Sequence, residues 1–162
     1  MTILSRFLRR GEPEVSRPSS ARLPWPPPQQ VHKPSRRPPG ALYLQARGVF
    51  RVVAGGEARY QAVLERICGA SGKGGVEVYV DAHLIVQQGA DGAPVVAVEI
   101  EGHTVGYLPA HEARALCAAF PESITAAQAI YCPAVIMGGW ERPGGNRSPY
   151  GVRLDLPTPP TA

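Results

Sequence analysis

The stretch VVAVEIEGHTVGYLP, residues 95–109, decides how this chain folds. Val96, Val98 and Ile100 fall on one face and Ala97, Glu99 and Glu101 on the other, the period of two of a half-buried strand. Gly102 supplies the permissive backbone that a tight reversal needs, although Glu-Gly is a weaker hairpin signal than Asn-Gly or Asp-Gly. A second strand follows over residues 104–108. Pro109 has no amide hydrogen to lose and suits a first helical turn, after which Leu116, Cys117 and Phe120 recur at helical spacing. The reading is strand, turn, strand, helix.

Upstream, residues 48–53 read as a first strand broken by Ala54-Gly55-Gly56. From Glu57 the period changes: Tyr60, Val63, Leu64 and Ile67 lie at i, i+3, i+4 and i+7, one face of a helix that stops at Gly69. Residues 71–75 form a turn, residues 76–80 alternate as a second strand, and a third apolar run, 83–86, precedes the polar loop 87–94. Downstream, Pro121 and Glu122 end the second helix, residues 129–137 form a long apolar strand, and Pro143-Gly144-Gly145-Asn146 is a loop. Tyr150, Val152 and Leu154 then alternate with Gly151, Arg153 and Asp155 as the last strand. Short strands with frequent turn signals and no βαβ rhythm imply a mainly β fold. The expected architecture is a small, partly open antiparallel barrel of about six strands with two short helices across it.

Charge and proline divide the chain. Residues 1–40 hold nine of the 18 prolines, eight of the 17 basic residues and two of the 13 acidic ones, so this segment is +6 and the remainder −2. The net +4 of the whole therefore belongs to the tail, and the folded part is mildly acidic. Residues 1–40 have too few aliphatic side chains to offset the entropy of ordering them and are expected to be disordered, with RLPWPPPQQ favouring polyproline II. Within them, residues 1–10 read as a frayed terminus or a short amphipathic helix. The domain is expected over 41–156, with a second disordered tail over 157–162.

Cys68, Cys117 and Cys132 form no CxxC pair, and the four histidines do not stand at metal-ligand spacing from them, so neither a metal nor a cofactor is expected. Unpaired thiols in apolar runs fit a reducing interior. No run of about 18 apolar residues is present and no cleavage site follows the first ten residues, which points to a cytoplasmic protein without integral membrane association.

Catalysis finds no footing. GASGKGG, residues 69–75, departs from the Walker spacing, and Lys73 is not followed by Ser or Thr. His111 and Cys117 lie about 240° apart around their predicted helix and cannot form a dyad. His103 falls at the hairpin turn, and Glu99 and Glu101 mark the wet side of the sheet. The chain is not expected to be an enzyme.

The order VVAGGEARYQAVLERI, VVAVEIEGHTVGYLP, a short helix, CPAVIMGGW and YGVRLDL resembles the HIRAN domain over residues 50–156, most closely at Gly56-Glu57 with Tyr60 and at Val105-Gly106-Tyr107-Leu108-Pro109. HIRAN domains occur at the N-termini of fork-remodelling helicases and as small bacterial proteins. The resemblance implies an OB-like or SH3-like barrel, and its eukaryotic members grip the 3′ end of single-stranded DNA. It carries over Tyr60 as one aromatic at the helix start, with Arg59 where the family often has a second, and Tyr107 in the Val-Gly-His/Tyr-Leu position. The family's Asn-Pro-Tyr-Asp-x-Asn loop is replaced by QQGADGAP, in which Asp91 stands for the aspartate with a slip of one residue. Losing the loop tyrosine removes a stacking contact of about 1–3 kcal/mol per base.

Two functions follow as expectations. The first is a noncatalytic module binding single-stranded or 3′-terminal DNA weakly, in repair or fork processing, through Arg59, Tyr60, Asp91, Tyr107 and Tyr150. The second is a HIRAN-like fold serving as a protein-interaction adaptor through its proline-rich arm or a strand edge.

Overall fold

The computed structural model describes residues 26–34, 36–45 and 47–158. The expectations for residues 1–25 and 159–162 lie outside the described residues.

The hairpin forms as its alternation requires. β5 (Pro94–Ile100) pairs antiparallel with β6 (His103–Tyr107) through the two-residue turn Glu101-Gly102. Both turn residues are left-handed, φ 52° and 79°, as a type I′ hairpin demands, so Glu101 adopts a backbone that usually favours Asn or Gly. The strand before it is longer than read from sequence. β4 (Val76–Gln88) runs unbroken for 13 residues, because Ala82 and Leu84 continue the inward set while Asp81 and His83 fall on the outward one.

β4 is flanked by β7 (Ile130–Gly138), and the sheet continues outward through β8 (Gly151–Leu154) to β3 (Val52–Val53) and through β5 to β6. The result is an open, curled sheet whose main path is six antiparallel strands, the mainly β half-barrel that the patterning implies. Two short strands run parallel to the central pair. β1 (Gln29–His32) lies end to end with β5 along one edge of β4, and β2 (Leu42–Tyr43) lies end to end with β8 along one edge of β7. Pro133 is tolerated within β7 because its carbonyl accepts the Asp155 N–H at 2.9 Å. Its backbone edge therefore faces the β2–β8 junction, and no amide is missing from the ladder to β4.

β1 corrects the expected boundary at residue 40. Its residues are mostly polar, so composition gives no strand signal, yet the prolines before it preset an extended backbone. Gln29 N–H donates to Gly75 O and Lys33 N–H to Tyr79 O, Val31 packs against the core, and Lys33 pairs with Glu101. At the other strand called from sequence, residues 48–53, only Val52–Val53 pair. The buried carboxylate of Asp155 accepts the N–H groups of Arg47 and Gly48 at 2.8 and 2.6 Å, holding the preceding stretch as a loop.

The apolar stripe of α1 (Gln61–Cys68) buries Leu64 and Ile67, and α2 (Ala110–Ala119) buries Ala113 and Leu116. Pro109 caps α2 with φ −53° and ψ 144°. α2 ends at Ala119, just before Pro121 as expected, and Pro121 also opens the short α3 (Pro121–Thr125), where a proline at the first position costs no hydrogen bond. Ile100, Ile130, Ile136, Leu154 and the inward valines complete one core. The Arg51 guanidinium pairs with the buried Glu112 carboxylate, fixing α2 to the chain entering β3.

The two ends of the curled sheet meet at one bridge. Ala54 N–H donates to Val152 O at 3.0 Å, while Gly55 and Tyr107 exchange both backbone bonds at 2.8 and 2.9 Å. Gly106 makes this approach possible, since a Cβ there would lie 2.9 Å from Gly55 O and 3.1 Å from the Ala54 methyl. Gly106→Ala is therefore expected to destabilise the protein by about 1–3 kcal/mol, the usual cost of overpacking, read as a lower urea midpoint. An unchanged midpoint would show that the bridge is not a constraint. A chain beginning at Ala41 is expected to unfold at lower urea than one beginning at Pro26, because it loses β1; equal midpoints would make β1 dispensable.

Candidate nucleic-acid interface

The closing bridge also builds the surface that the sequence singles out. Gly56, left-handed at φ 80°, begins a 3-10 turn over Glu57–Tyr60, and a Cβ on it would lie 3.9 Å from the Tyr107 ring. The turn brings Tyr60 to Tyr107. The Tyr60 phenol is raised above its ordinary value, first by hydrogen bonding to Tyr107 and then by desolvation. Arg59 is near enough to act in the opposite direction, favouring the phenolate. Tyr107 is 37% exposed, Arg59 is exposed and Tyr60 is half-buried. Arg59, Tyr60 and Tyr107 are thus together, two phenol rings and a guanidinium on one ridge.

Asp91 and Tyr150 do not join them. Asp91 sits at the exposed turn between β4 and β5, where its Oδ1 accepts the Ala93 N–H at 3.1 Å in a local Asx turn. Tyr150 is only 8% exposed. Its backbone N–H donates to Gln61 Oε1 and its carbonyl accepts from Gln61 Nε2, both at 2.8 Å. Its hydroxyl lies beneath Gly139, where an added Cβ would meet it at 2.6 Å. Tyr150 belongs to the inward set with Val152 and Leu154, so its ring is part of the core and not a stacking surface.

A second group of rings, absent from the sequence reading, lies across the outer face. His83 on β4 stacks on Tyr131 of β7 at 4.7 Å between centroids, and Tyr131 stacks on Tyr43 of β2 at 5.3 Å. The Arg37 guanidinium covers Tyr43 at 4.7 Å. Further along β4, Tyr79 stacks on His32 at 4.6 Å and meets Phe50 edge-on. Beside His83 and Tyr131, in the gap between the end of β1 and the end of β5, opens a cavity of about 590 Å³. Lys33, Arg36, Asp81 and Glu99 also line it. These rings escape sequence reasoning because they converge only through the pairing of four strands. The one local signal is that Tyr79 and His83 take outward positions on β4.

Among the described residues no group of three His, Cys, Asp or Glu side chains could hold a metal, and no helix is long and apolar enough to cross a membrane. The thiols are unpaired. Burial pushes Cys68 up to about 11 and raises Cys117 and Cys132, so all three favour the protonated form at neutral pH. His111 is exposed and leans on Glu112, not on Cys117. Lys73 lies in the 72–75 turn, where its carbonyl accepts the Glu141 N–H, the role of a structural turn.

No family model, curated protein or solved structure matches the chain. The site is therefore read from its own geometry.

The hydroxyl pair has a direct test. Tyr107→Phe removes the hydroxyl that holds the Tyr60 proton, so Tyr60 is expected to ionise at lower pH than in the unsubstituted protein, followed by tyrosinate absorbance or NMR. An identical Tyr60 titration would rule out the bond.

Proposed function

We propose that this protein is a noncatalytic HIRAN-type module that binds the 3′ end of single-stranded DNA weakly, in repair or replication-fork processing. The observation carrying this reading is the ridge of Arg59, Tyr60 and Tyr107 built on the Gly55–Tyr107 bridge. Two phenol rings held by a rigid backbone offer stacking surface that tolerates any base, and an adjacent guanidinium offers a phosphate contact. The sequence order that resembles HIRAN domains supplies the 3′-end preference. The binding is weak for two reasons. The loop over residues 89–93 carries no aromatic, and Asp91 is bonded within it. Over residues 26–158, 12 basic side chains stand against 11 acidic ones, so the near-neutral domain adds little general phosphate attraction.

The adaptor reading draws on a different place. Trp140 and Val53 are 42% and 47% exposed and line a groove with Met137 and Arg153, a surface suited to an apolar peptide. It requires no nucleic acid.

Fluorescence anisotropy separates the two, using a labelled single strand with a free or a blocked 3′ end and both the full chain and a chain beginning at Pro26. Both chains are expected to prefer the free end, and Tyr60→Ala or Tyr107→Ala to weaken binding about tenfold and erase the preference. Binding by the full chain alone, steeply salt-dependent and blind to the end, would assign it to the basic N-terminal residues and sink the end-reading proposal.

A further inference from the structure

The outer-face rings and Tyr107 lie on one face of the sheet, as the strand register shows. Tyr107 pairs with Ala97, Ala97 with Ile85, and Ile85 is two residues beyond His83 on β4. His83 pairs with Tyr131, and Tyr131 with Tyr43. Side chains at paired positions share a face, as do those two apart on one strand. Tyr107, Ala97, Ile85, His83, Tyr131 and Tyr43 therefore all face outward. The step from Tyr107 to His83 crosses two strand spacings, roughly 10 Å, and advances one two-residue repeat, roughly 7 Å. Between them the Ala97 methyl is covered by its neighbours, at 2% exposed, and Ile85 is half-buried, and neither presents a charge or a polar group.

We propose that a single strand held at Tyr60 and Tyr107 continues across Ala97 and Ile85 and places a further nucleobase in the cavity walled by His83 and Tyr131. This rests on the DNA-binding reading above and extends it to a second subsite. The cavity, about 590 Å³, is within the range of small-ligand sites, and His83, backed by the Tyr131 ring stacked on it, gives a base an aromatic wall. Lys33 and Arg36 at its mouth are positioned for the flanking phosphates. The same cavity holds Asp81, Glu99 and Glu101, so it is not a general polyanion site. Carboxylates accept hydrogen bonds from the exocyclic amino groups of cytosine and adenine, whereas thymine offers only its N3–H, set between two carbonyls that repel a carboxylate. Glu99, whose Oε2 lies 3.9 Å from His83 Nδ1, keeps acceptor capacity for such a group. The subsite therefore selects an amino-bearing base, cytosine or adenine, over thymine. Arg37 over Tyr43 closes the far end of the ring stack and marks where the path stops.

The test uses the full chain and 5′-labelled dC2, dC6 and dT6, all with free 3′ ends, at moderate salt. The expected result is that dC6 binds about tenfold tighter than dC2 and severalfold tighter than dT6. Tyr131→Leu and, separately, His83→Leu are expected to abolish the gain from dC2 to dC6 while leaving dC2 affinity unchanged, and Glu99→Gln to bring dC6 down to dT6. Two substitutions on different strands, each checked for an unchanged thermal unfolding midpoint, keep a folding defect from imitating the result. A length gain that survives both ring substitutions, or equal binding of dC2 and dC6, overturns the second subsite and leaves the Tyr60–Tyr107 ridge standing. Absence of binding to every oligonucleotide overturns both.

Discussion

The fold turns on how closely the backbone at Ala54 and Gly55 can approach β6. A curled six-stranded sheet has two edges to protect, and here they are brought into contact by the exchanged hydrogen bonds of Gly55 and Tyr107. The constraint is steric. With hydrogen in place of a side chain at Gly106, the Gly55 carbonyl and Ala54 methyl fit where a Cβ would stand at about van der Waals overlap. Once the bridge forms, the 3-10 turn that follows Gly56 is fixed relative to β6, and Tyr60 has to meet Tyr107. Closure of the barrel and assembly of the ridge are the same event.

The other half of the architecture rests on two long strands, each shared by two short ones. β4 and β7 form the spine, and the junctions where β1 meets β5 and where β2 meets β8 are the places where the outer face is interrupted. Interruptions in a sheet edge leave backbone groups that need partners and side chains that need neighbours. At the first junction Lys33 spans to Glu101, and a cavity remains above Val80 and Asp81. At the second, Pro133 occupies the position where an amide would have no regular partner, and Asp155 closes the gap from the other side with its N–H to Pro133 and its carboxylate to residues 47 and 48. The concave features of the molecule follow from strand lengths.

Much of this was legible in the sequence wherever the signal was local. The period-two runs at 95–100 and 76–80, the period-3.6 run from Tyr60 to Ile67 and the glycines at the turns place most elements, and the mainly β half-barrel follows from them. Elements whose reason is nonlocal escaped. β1 is a strand because β4 offers an edge to Gln29–His32, not because those residues prefer extended structure in isolation. The split between Tyr107 and Tyr150 is instructive. Tyr150 shares the inward parity of Val152 and Leu154, so its burial could have been read from the alternation alone. Tyr107 lies beyond a β-bulge at Val98/Glu99 that shifts its register by one residue. Parity counted from Val105 is unreliable across such a shift, and the pairings with Ala97 and Gly55 fix which way the ring points. The ring stack of His83, Tyr131 and Tyr43 joins residues 48 and 88 positions apart, a coincidence that no window along the chain contains.

Under the proposed DNA-binding reading, the same geometry bears on how a sparse site would hold a strand. The loop over residues 89–93 carries no aromatic, so the ridge would have little interaction energy to spend on ordering itself. It does not need to. The Tyr107 backbone is committed on one side to Ala97 and on the other to Gly55, its ring lies against Gly56, and its hydroxyl is tied to Tyr60, which a helical turn continuous with α1 holds in place. A strand meeting that surface immobilises itself but not the protein. Because the outer-face rings are likewise held, by stacking on one another across β4, β7 and β2, a second contact along the same strand adds to the first without a further ordering cost in the protein. Under that proposal, affinity would grow with the length of the strand and not with the strength of any one contact, the behaviour expected of a rigid half-barrel with a small charge and few aromatics.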